Sequence, residues 1–346
     1  MIATSLIDWL NSTVVQTVVL TITGALQPVL DFFVDGNSRF YWMYCATGIV
    51  IAAYAHYKHK EAQSFQSQLF DRNVWLSASA INDYIIVVMT PVLRLTVLSA
   101  LLINWKPVSA WVVTTLHSVG VAGSVTDSTA IALGIALTLT LFVIDDGLKW
   151  LAHYLFHAVP ELWEFHKVHH SAEHLNFITA DRHHPVEVIA TSALTASAYG
   201  LVNGVFIGLF GDQLTVTTIM GANAFLFVFN ICGGALRHSP FWISFGPAVE
   251  KWIISPAMHQ IHHSDKVEHY DRNYGGSLAV WDRMAGSLHI PQGREIEAFG
   301  IGEETKDFRS LGVILGRPFA ASYAIFKDRF KKPDAAAARA AEHVSA

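Results

Sequence analysis

The chain has 346 residues, 52% of them hydrophobic and only 15% charged, with mean hydropathy +0.36 and a formal net charge of −5. An ordinary soluble domain has about a quarter of its residues charged, so this chain lacks the polar residues to cover a globule of its size. The charge balance gives no reason to expect nucleic acid, and Cys45 and Cys232, both inside apolar runs, offer neither a disulfide framework nor a CxxC motif.

In chain order, residues 13–34 form a candidate first span interrupted by Gln16, Gln27 and Pro28, with a segment lying in the interface as the alternative. Residues 41–57 are short and uninterrupted. Residues 84–104 are long enough to cross, with Pro91 and Arg94 inside them, and residues 130–144 run directly into Asp145 and Asp146. Residues 188–210 and 214–232 read as a helical hairpin of two spans around the polar turn Gly211-Asp212-Gln213, since a crossing helix needs about 20 apolar residues. Lys58, Lys60 and Arg72 follow the second segment, Lys149, Lys167 and Arg182 follow the fourth, and most remaining basic residues follow Cys232. The other side has little besides Arg39 and Lys106, so the basic face is the cytoplasmic one. Residues 84–104 then lead out, 130–144 lead back, and the hairpin leaves and returns. The expected fold is all-α: a polytopic membrane bundle with a cytoplasmic histidine-rich helical cap. No cleavable signal peptide is expected, because residues 1–11 lack a basic n-region, and residues 335–346 are an Ala-rich tail.

Histidine is the anomaly: 18 residues, fourteen of them between His153 and His289. His153 and His157, four apart, share one helix face before Pro160 ends or bends the helix. His166, His169 and His170 repeat the logic at i, i+3 and i+4. His259, His262 and His263 have identical spacing, behind Ser255 as N-cap and Pro256 at the first helical position. Histidine so dense beside a bilayer is costly unless it is paired or ligated. Imidazole suits Zn, Cu, Fe or Ni, and one metal takes about four to six ligands, so eight or more clustered histidines require two metals. The pattern lacks the HExxH glutamate of a metalloprotease and the carboxylate arrangement of soluble di-iron bundles.

HxxxH, HxxHH and a distal HxxHH after a hydrophobic hairpin resemble the sterol desaturase/fatty acid hydroxylase superfamily of integral-membrane di-iron oxygenases. The resemblance extends to Asn176, Thr179 and Arg182-His183-His184-Pro185, in which His184 aligns with the family's histidine, and to Leu236-Arg237-His238-Ser239. Asn273-Tyr274-Gly275 and Trp281 to Ser287 resemble its NYG and WDRxFGT signatures, with Met284-Ala285 replacing the usual hydrophobic-Phe pair. The resemblance divides the chain into an N-terminal membrane region (1–127, two or three spans), a catalytic domain (128–299, containing the hairpin 188–232) and a cytoplasmic C-terminal tail (300–346).

It implies His153, His157, His166, His169, His170, His184, His238, His259, His262 and His263 as metal ligands. His174 is left out, and His269 stands between ligand and hydrogen-bonding neighbour. Asp145, Asp146, Glu161, Glu164 and Asp282 are candidates for holding imidazole N–H groups, and Trp150, Trp163, Trp242 and Trp252 for an interfacial belt. The implied cofactors are two iron ions, which zinc can replace on purification, with O2 as co-substrate. The implied reaction is hydroxylation, ranked above desaturation, of a C–H bond in a sterol or other polycyclic lipid, a fatty acyl chain, or a sphingoid or ether lipid. With no GxGxxG fingerprint, cysteine cluster or haem domain in the sequence, the two electrons must come from a separate donor protein on the cytoplasmic face of the bacterial inner membrane, or of the endoplasmic reticulum if eukaryotic. The rival readings are a membrane metal-ion transporter, which would place histidines inside spans, and a zinc-dependent membrane hydrolase, which needs a glutamate base.

Overall fold

A computed structural model describes residues 15–16, 31, 33–95, 104–219 and 222–330. Most of the candidate span 13–34, and the tail from residue 331, lie outside the described residues. The structure is predominantly helical: α1 (Trp42–His59), α2 (Ala78–Leu95), α3 (Trp105–Ser118), α4 (Asp127–Ala158), α5 (Pro160–His170) and α6 (Pro185–Phe210) precede a two-stranded hairpin, β1 (Thr218–Ile219) and β2 (Ala222–Asn223). Then come α7 (Ala224–Ile231), α8 (Pro256–His262), α9 (Val280–Ala285) and α10 (Leu311–Arg329). Thr129–Ala158 and Pro185–Phe210 are long and apolar enough to cross a membrane.

The expected span 130–144 does not stop at its acidic pair. α4 continues for 32 residues, about 48 Å at 1.5 Å per residue, well beyond the ~30 Å hydrocarbon core. Asp145 pairs with Lys149 one turn on (2.6 Å). Asp146 turns inward and accepts from the Ser277 and Leu278 amides and from Trp281 Nε1 (2.8, 3.0 and 3.0 Å). Only Pro160, which disfavours helix at the residue before it, ends the run. The HxxxH pair therefore rides on the end of a bilayer-length helix.

The main partner of α6 is α3, which the hydropathy pattern did not reveal. Gly200, Gly204 and Gly208, four apart, let the two backbones approach in the manner of small-xxx-small helix pairs. They meet Val108, Val112 and Leu116 in that order, so α3 and α6 run parallel. A Cβ added at Gly204 would lie 2.6 Å from Val112 Cβ and 2.8 Å from the Ser109 carbonyl oxygen. Gly204→Val is expected to cost about 1–3 kcal/mol through overpacking, read as a lowered melting temperature in detergent with metal content per folded chain unchanged.

The hairpin's second arm, expected as a helix over 214–232, is mostly not helical. Gly211 ends α6 at φ 90°, and Thr215-Val216-Thr217-Thr218 is a β-branched run that fits extended chain better than helix. Thr138 of α4 receives it: its hydroxyl accepts from the Thr217 amide (2.8 Å), and its carbonyl accepts from Asn223 Nδ2 (3.0 Å). α7 supplies only eight residues of helix. The extended stretch gains over 3 Å per residue, so the arm still returns to the histidine end. There Phe227 packs against Tyr41 and Tyr44, and Leu236 against Gly48 and Ala52 of α1.

The histidine-bearing end is fastened around Arg182, which is fully buried. Its guanidinium donates to Asp83 Oδ1 of α2 (2.7 Å), to the carbonyls of Val168 (2.7 Å), Ser79 (3.1 Å) and Phe308 (3.3 Å), and to Ser171 Oγ (3.0 Å). α2 thus begins at Ala78, six residues before the expected span 84–104 and among the residues that hold Arg182; residues 96–103 of that span are outside the described set. Residues 300–330, the first part of the C-terminal tail 300–346, fold onto the histidine-bearing end: α10 packs on α5 and buries Ile314 and Pro318.

Candidate metal centre

Pro160 restarts the helix one residue after α4 ends, so α5 folds back and lays His166 and His170 beside His153 and His157. α8 is N-capped by Ser255 Oγ, which accepts from the Met258 amide (3.3 Å). It brings in the last histidine triplet, and the return arm delivers His238.

The nine imidazoles sort into two adjoining groups. His153, His157, His166, His170 and His262 have ligand atoms all within 4.8 Å of one another, and so do His169, His238, His259 and His263. Each HxxHH triplet is split between them: α5 gives its i and i+4 positions to the first group, α8 to the second, and the middle histidine of each crosses over. His170 and His263 stack at 4.5 Å where the groups meet.

In the four-histidine group, Nε2 of His238 lies 3.2, 3.1 and 3.1 Å from Nε2 of His169, His263 and His259, with His259 and His263 3.2 Å apart. In the five-histidine group, Nε2 of His157 and His170 are 3.1 Å apart, and those of His153 and His262 2.9 Å. Burial, reinforced by the neighbouring imidazoles, holds His169, His170, His238, His259, His262 and His263 well below the usual histidine pKa, so they stay neutral. A neutral imidazole has one N–H, and four Nε2 atoms facing one another cannot all be satisfied by hydrogen bonds. Nδ1 of His169, His259 and His263 and Nε2 of His166 are buried without a partner. A tetrahedral cation with metal–nitrogen distances of about 2.0–2.1 Å has ligand edges of about 3.3 Å, close to the observed spacing. The donor set fits one first-row metal in each group.

The NYG and WDR signatures explain how two of these rings are aimed. His153 Nδ1–H donates to the Tyr274 carbonyl (2.8 Å) and His262 Nδ1–H to the Arg272 carbonyl (2.7 Å), which turns both Nε2 lone pairs inward. The loop holding those carbonyls is bent by positive φ at Asp271 and Asn273 (58° and 57°). Asn273 Nδ2 donates to the carbonyls of Met258 (3.1 Å) and His289 (2.9 Å). Asp282 accepts from the Tyr274 and Gly275 amides (2.9 and 2.7 Å), Trp150 Nε1 (3.2 Å) and Ser287 Oγ (2.6 Å).

His184 belongs to neither group. Its Nδ1 accepts from the Val186 amide (3.2 Å) as the N-cap of α6, and its Nε2–H faces the Leu315 carbonyl (3.3 Å). His183 is the neighbour that reaches the centre, stacked on His169 at 4.6 Å. His174 stands in neither group, and His269 instead meets His289 and Glu295.

None of Asp145, Asp146, Glu161, Glu164 or Asp282 hydrogen-bonds an imidazole; Glu161 pairs with Arg329 and Glu164 with Lys167. The carboxylate that bonds an imidazole of the two groups is Glu187, whose Oε1 accepts from Nδ1 of His166 and of His183, both at 3.0 Å. Sequence reasoning missed it because Glu187 is the third residue of a helix capped by His184, where glutamate reads as part of a cap. Of the four tryptophans, only Trp252 is exposed; Trp242 is core, Trp150 bonds Asp282, and Trp163 lies against His157 and His170. A cavity of about 370 Å³ opens beside the five-histidine group, lined by His157, Trp163, Lys167, His170, His262 and Asp271 among others.

Residues 138–287 match the family described as Fatty acid hydroxylase. The chain is 30% identical to the ornithine lipid hydroxylase OlsE of Rhizobium tropici over 186 residues, covering 53% of this chain and 50% of that protein. It is 27% identical to the alkylglycerol monooxygenase of Xenopus tropicalis over 176 residues (51% and 35%) and 24% identical to that of Homo sapiens over 170 residues (49% and 34%). The chain thus spans half the length, or less, of these relatives. No solved structure matches. Residues 138–287, which carry every histidine of both groups, form a domain of the fatty acid hydroxylase family, within the superfamily that the histidine motifs resemble.

Proposed function

We propose that the chain is an integral-membrane oxidoreductase that hydroxylates a C–H bond of a membrane lipid, using O2 and two iron ions. The observation that carries this reading is the convergence of nine buried histidines into two adjoining groups at one end of the two bilayer-length helices. His153, His157, His166, His170 and His262 would hold one iron, and His169, His238, His259 and His263 the other. The chemistry such a pair supplies when bound is activation of O2 and removal of hydrogen from an unactivated C–H bond, with two electrons from a separate donor protein.

The chain's own residues do the positioning. The Arg272 and Tyr274 carbonyls and Glu187 fix the rings of His262, His153 and His166. The apolar wall around α8 (Ile254, Ala257, Met258 and Ile261, all fully buried) keeps bulk water from the centre. The cavity beside His157, His170 and His262 gives the reacting part of the lipid a place to lie, and Lys167, bonded to Glu164 and Glu304, gives it a polar rim. The relatives' names favour hydroxylation over desaturation and a lipid that carries a polar group. A transporter would spread histidines along its spans, whereas these nine lie at helix ends and in the cap.

The cap faces the cytoplasm in this reading, on the distribution of Lys and Arg. Its seat on the membrane surface fits the face of α10 that exposes Phe319, Tyr323 and Phe326 beside Lys327, with Phe319 packed on His184 where α6 begins. Because α3 runs parallel to α6 and Gly123 bonds Gly208, the far end of the bundle is the loop 119–126 rather than Asn104. A topology reporter inserted in that loop is expected to read opposite to reporters after Arg72 and after His174, and readings on one face would overturn the arrangement. The reaction itself is tested by comparing lipid extracts of cells with and without the chain. Gain of one oxygen in a lipid class supports hydroxylation, loss of two hydrogens makes it a desaturase, and no lipid change together with metal uptake favours transport.

A further inference from the structure

Just beyond the nine-histidine centre, a second kind of donor cluster is built from residues that none of the family motifs includes. His269 closes the 3-10 turn Val267–His269 and is buried, yet its Nδ1 has no partner. Its Nε2 lies 3.4 Å from Glu295 Oε2, and His289 Nε2 lies 2.9 Å from the same oxygen. The ligand atoms of the three residues fall within 4.8 Å of one another, in a group separate from both histidine sets. The two imidazoles meet edge to face, with ring centres 5.5 Å apart.

Each donor is held in place by contacts that leave its ligand atom free. Glu295 Oε1 already accepts from the Gln292 amide (2.6 Å), so Oε2 alone faces the two rings. The backbone of His289 is pinned on both sides by Asn273, whose Oδ1 accepts from its amide (2.7 Å) and whose Nδ2 donates to its carbonyl (2.9 Å). A single carboxylate oxygen approached by two imidazoles, with a further buried nitrogen unsatisfied, is poorly served by hydrogen bonds alone. Two imidazoles and one carboxylate are instead the donor set of zinc and of ferrous iron, and too rich in nitrogen for magnesium or calcium. His289 and Glu295 are partly exposed, which leaves room for water to complete the shell.

We propose that His269, His289 and Glu295 bind a further, single divalent transition-metal ion, zinc or ferrous iron, that ties the 267–269 turn to the 289–295 segment. The placement gives the ion a supporting role. Its turn follows the α8 histidines, and the 289–295 segment is anchored by the same Asn273 that shapes the loop aiming His153 and His262. The ion would stiffen the frame of the main centre without touching a substrate.

The test is metal counting on the full-length chain purified in detergent, stripped with chelator and reloaded with Zn2+ alone, then measured by inductively coupled plasma mass spectrometry. Wild type is expected to hold one equivalent more than Glu295→Gln and than His289→Ala, the second variant covering the case in which the first does not fold. Equal metal content in wild type and both variants would overturn the site and leave an ordinary His–Glu hydrogen bond. Reloading with Co2+ gives a second readout, because loss of a mixed nitrogen–oxygen site removes its own visible absorption bands and leaves those of the all-histidine groups. The outcome is separable from the reading of the main centre. A chain that loses one equivalent in Glu295→Gln but holds only one other would keep this site and sink the two-metal centre.

Discussion

His262→Ala is expected to abolish lipid turnover and to remove about one of the two metals at the nine-histidine centre, while the chain still inserts and folds. His262 sits between His259 and His263 in sequence but serves the other group, where it is the one ligand not supplied by α4 or α5. Its loss uncouples the fifth donor and leaves His153 Nε2 without the partner now 2.9 Å away. Removing a partner that only orients a ligand costs about 10–100-fold in affinity or activity, so loss of the ligand itself should exceed the upper figure. His184→Ala supplies the contrast. It removes a helix cap, costing about 0.5–2 kcal/mol of stability, and should leave metal content per folded chain unchanged. Metal analysis and turnover on both variants check the pair. Equal metal loss in the two would mean that His184 is a ligand after all and that the grouping by distance is mistaken.

The contrast also marks where the sequence is transparent and where it is not. Spacing of i, i+3 and i+4 places three histidines on one helix face whatever the tertiary fold, and so HxxxH and both HxxHH runs could be read directly. Which metal each ring serves depends on how α4, α5 and α8 cross, and the crossover of His169 and His262 has no local signature. His183 and His184 are adjacent, and only the start of α6 at Pro185 decides that His184 caps the helix while His183 turns toward the centre. α3 was hidden because Lys106, Ser109, Thr114 and Thr115 dilute its hydropathy; its trace lay in the partner's glycines at 200, 204 and 208. The return arm misled in the opposite sense. Residues 214–232 are apolar enough for a span, but the five consecutive β-branched residues 215–219 and the hydrogen bonds of Thr138 make extended chain the better solution.

Glu187 carries the other large effect. A single carboxylate oxygen receives Nδ1–H from His166, a member of the five-histidine group, and from His183, whose ring lies flat against His169 of the four-histidine group. One side chain at the mouth of α6 therefore braces a ligand on each side of the centre. With Nδ1–H of His166 committed to the carboxylate, the tautomer is fixed and the Nε2 lone pair points inward, where that atom is buried and otherwise unpartnered. The negative charge on the far side of the ring also makes His166 a stronger donor to a cation. Glu187→Ala is expected to weaken metal retention by about 10–100-fold, seen as faster loss of both metals to a competing chelator, with turnover falling in step. Glu187→Gln keeps an acceptor oxygen and the shape but not the charge, and should fall between wild type and Glu187→Ala. His183→Ala leaves the bond to His166 intact and should perturb chiefly the metal held by His169, His238, His259 and His263. Were Glu187→Ala to resist chelation as wild type does, the carboxylate would be no more than a helix-terminal residue, and His166 would have to be oriented by its packing against Phe156, Trp163 and the neighbouring imidazoles.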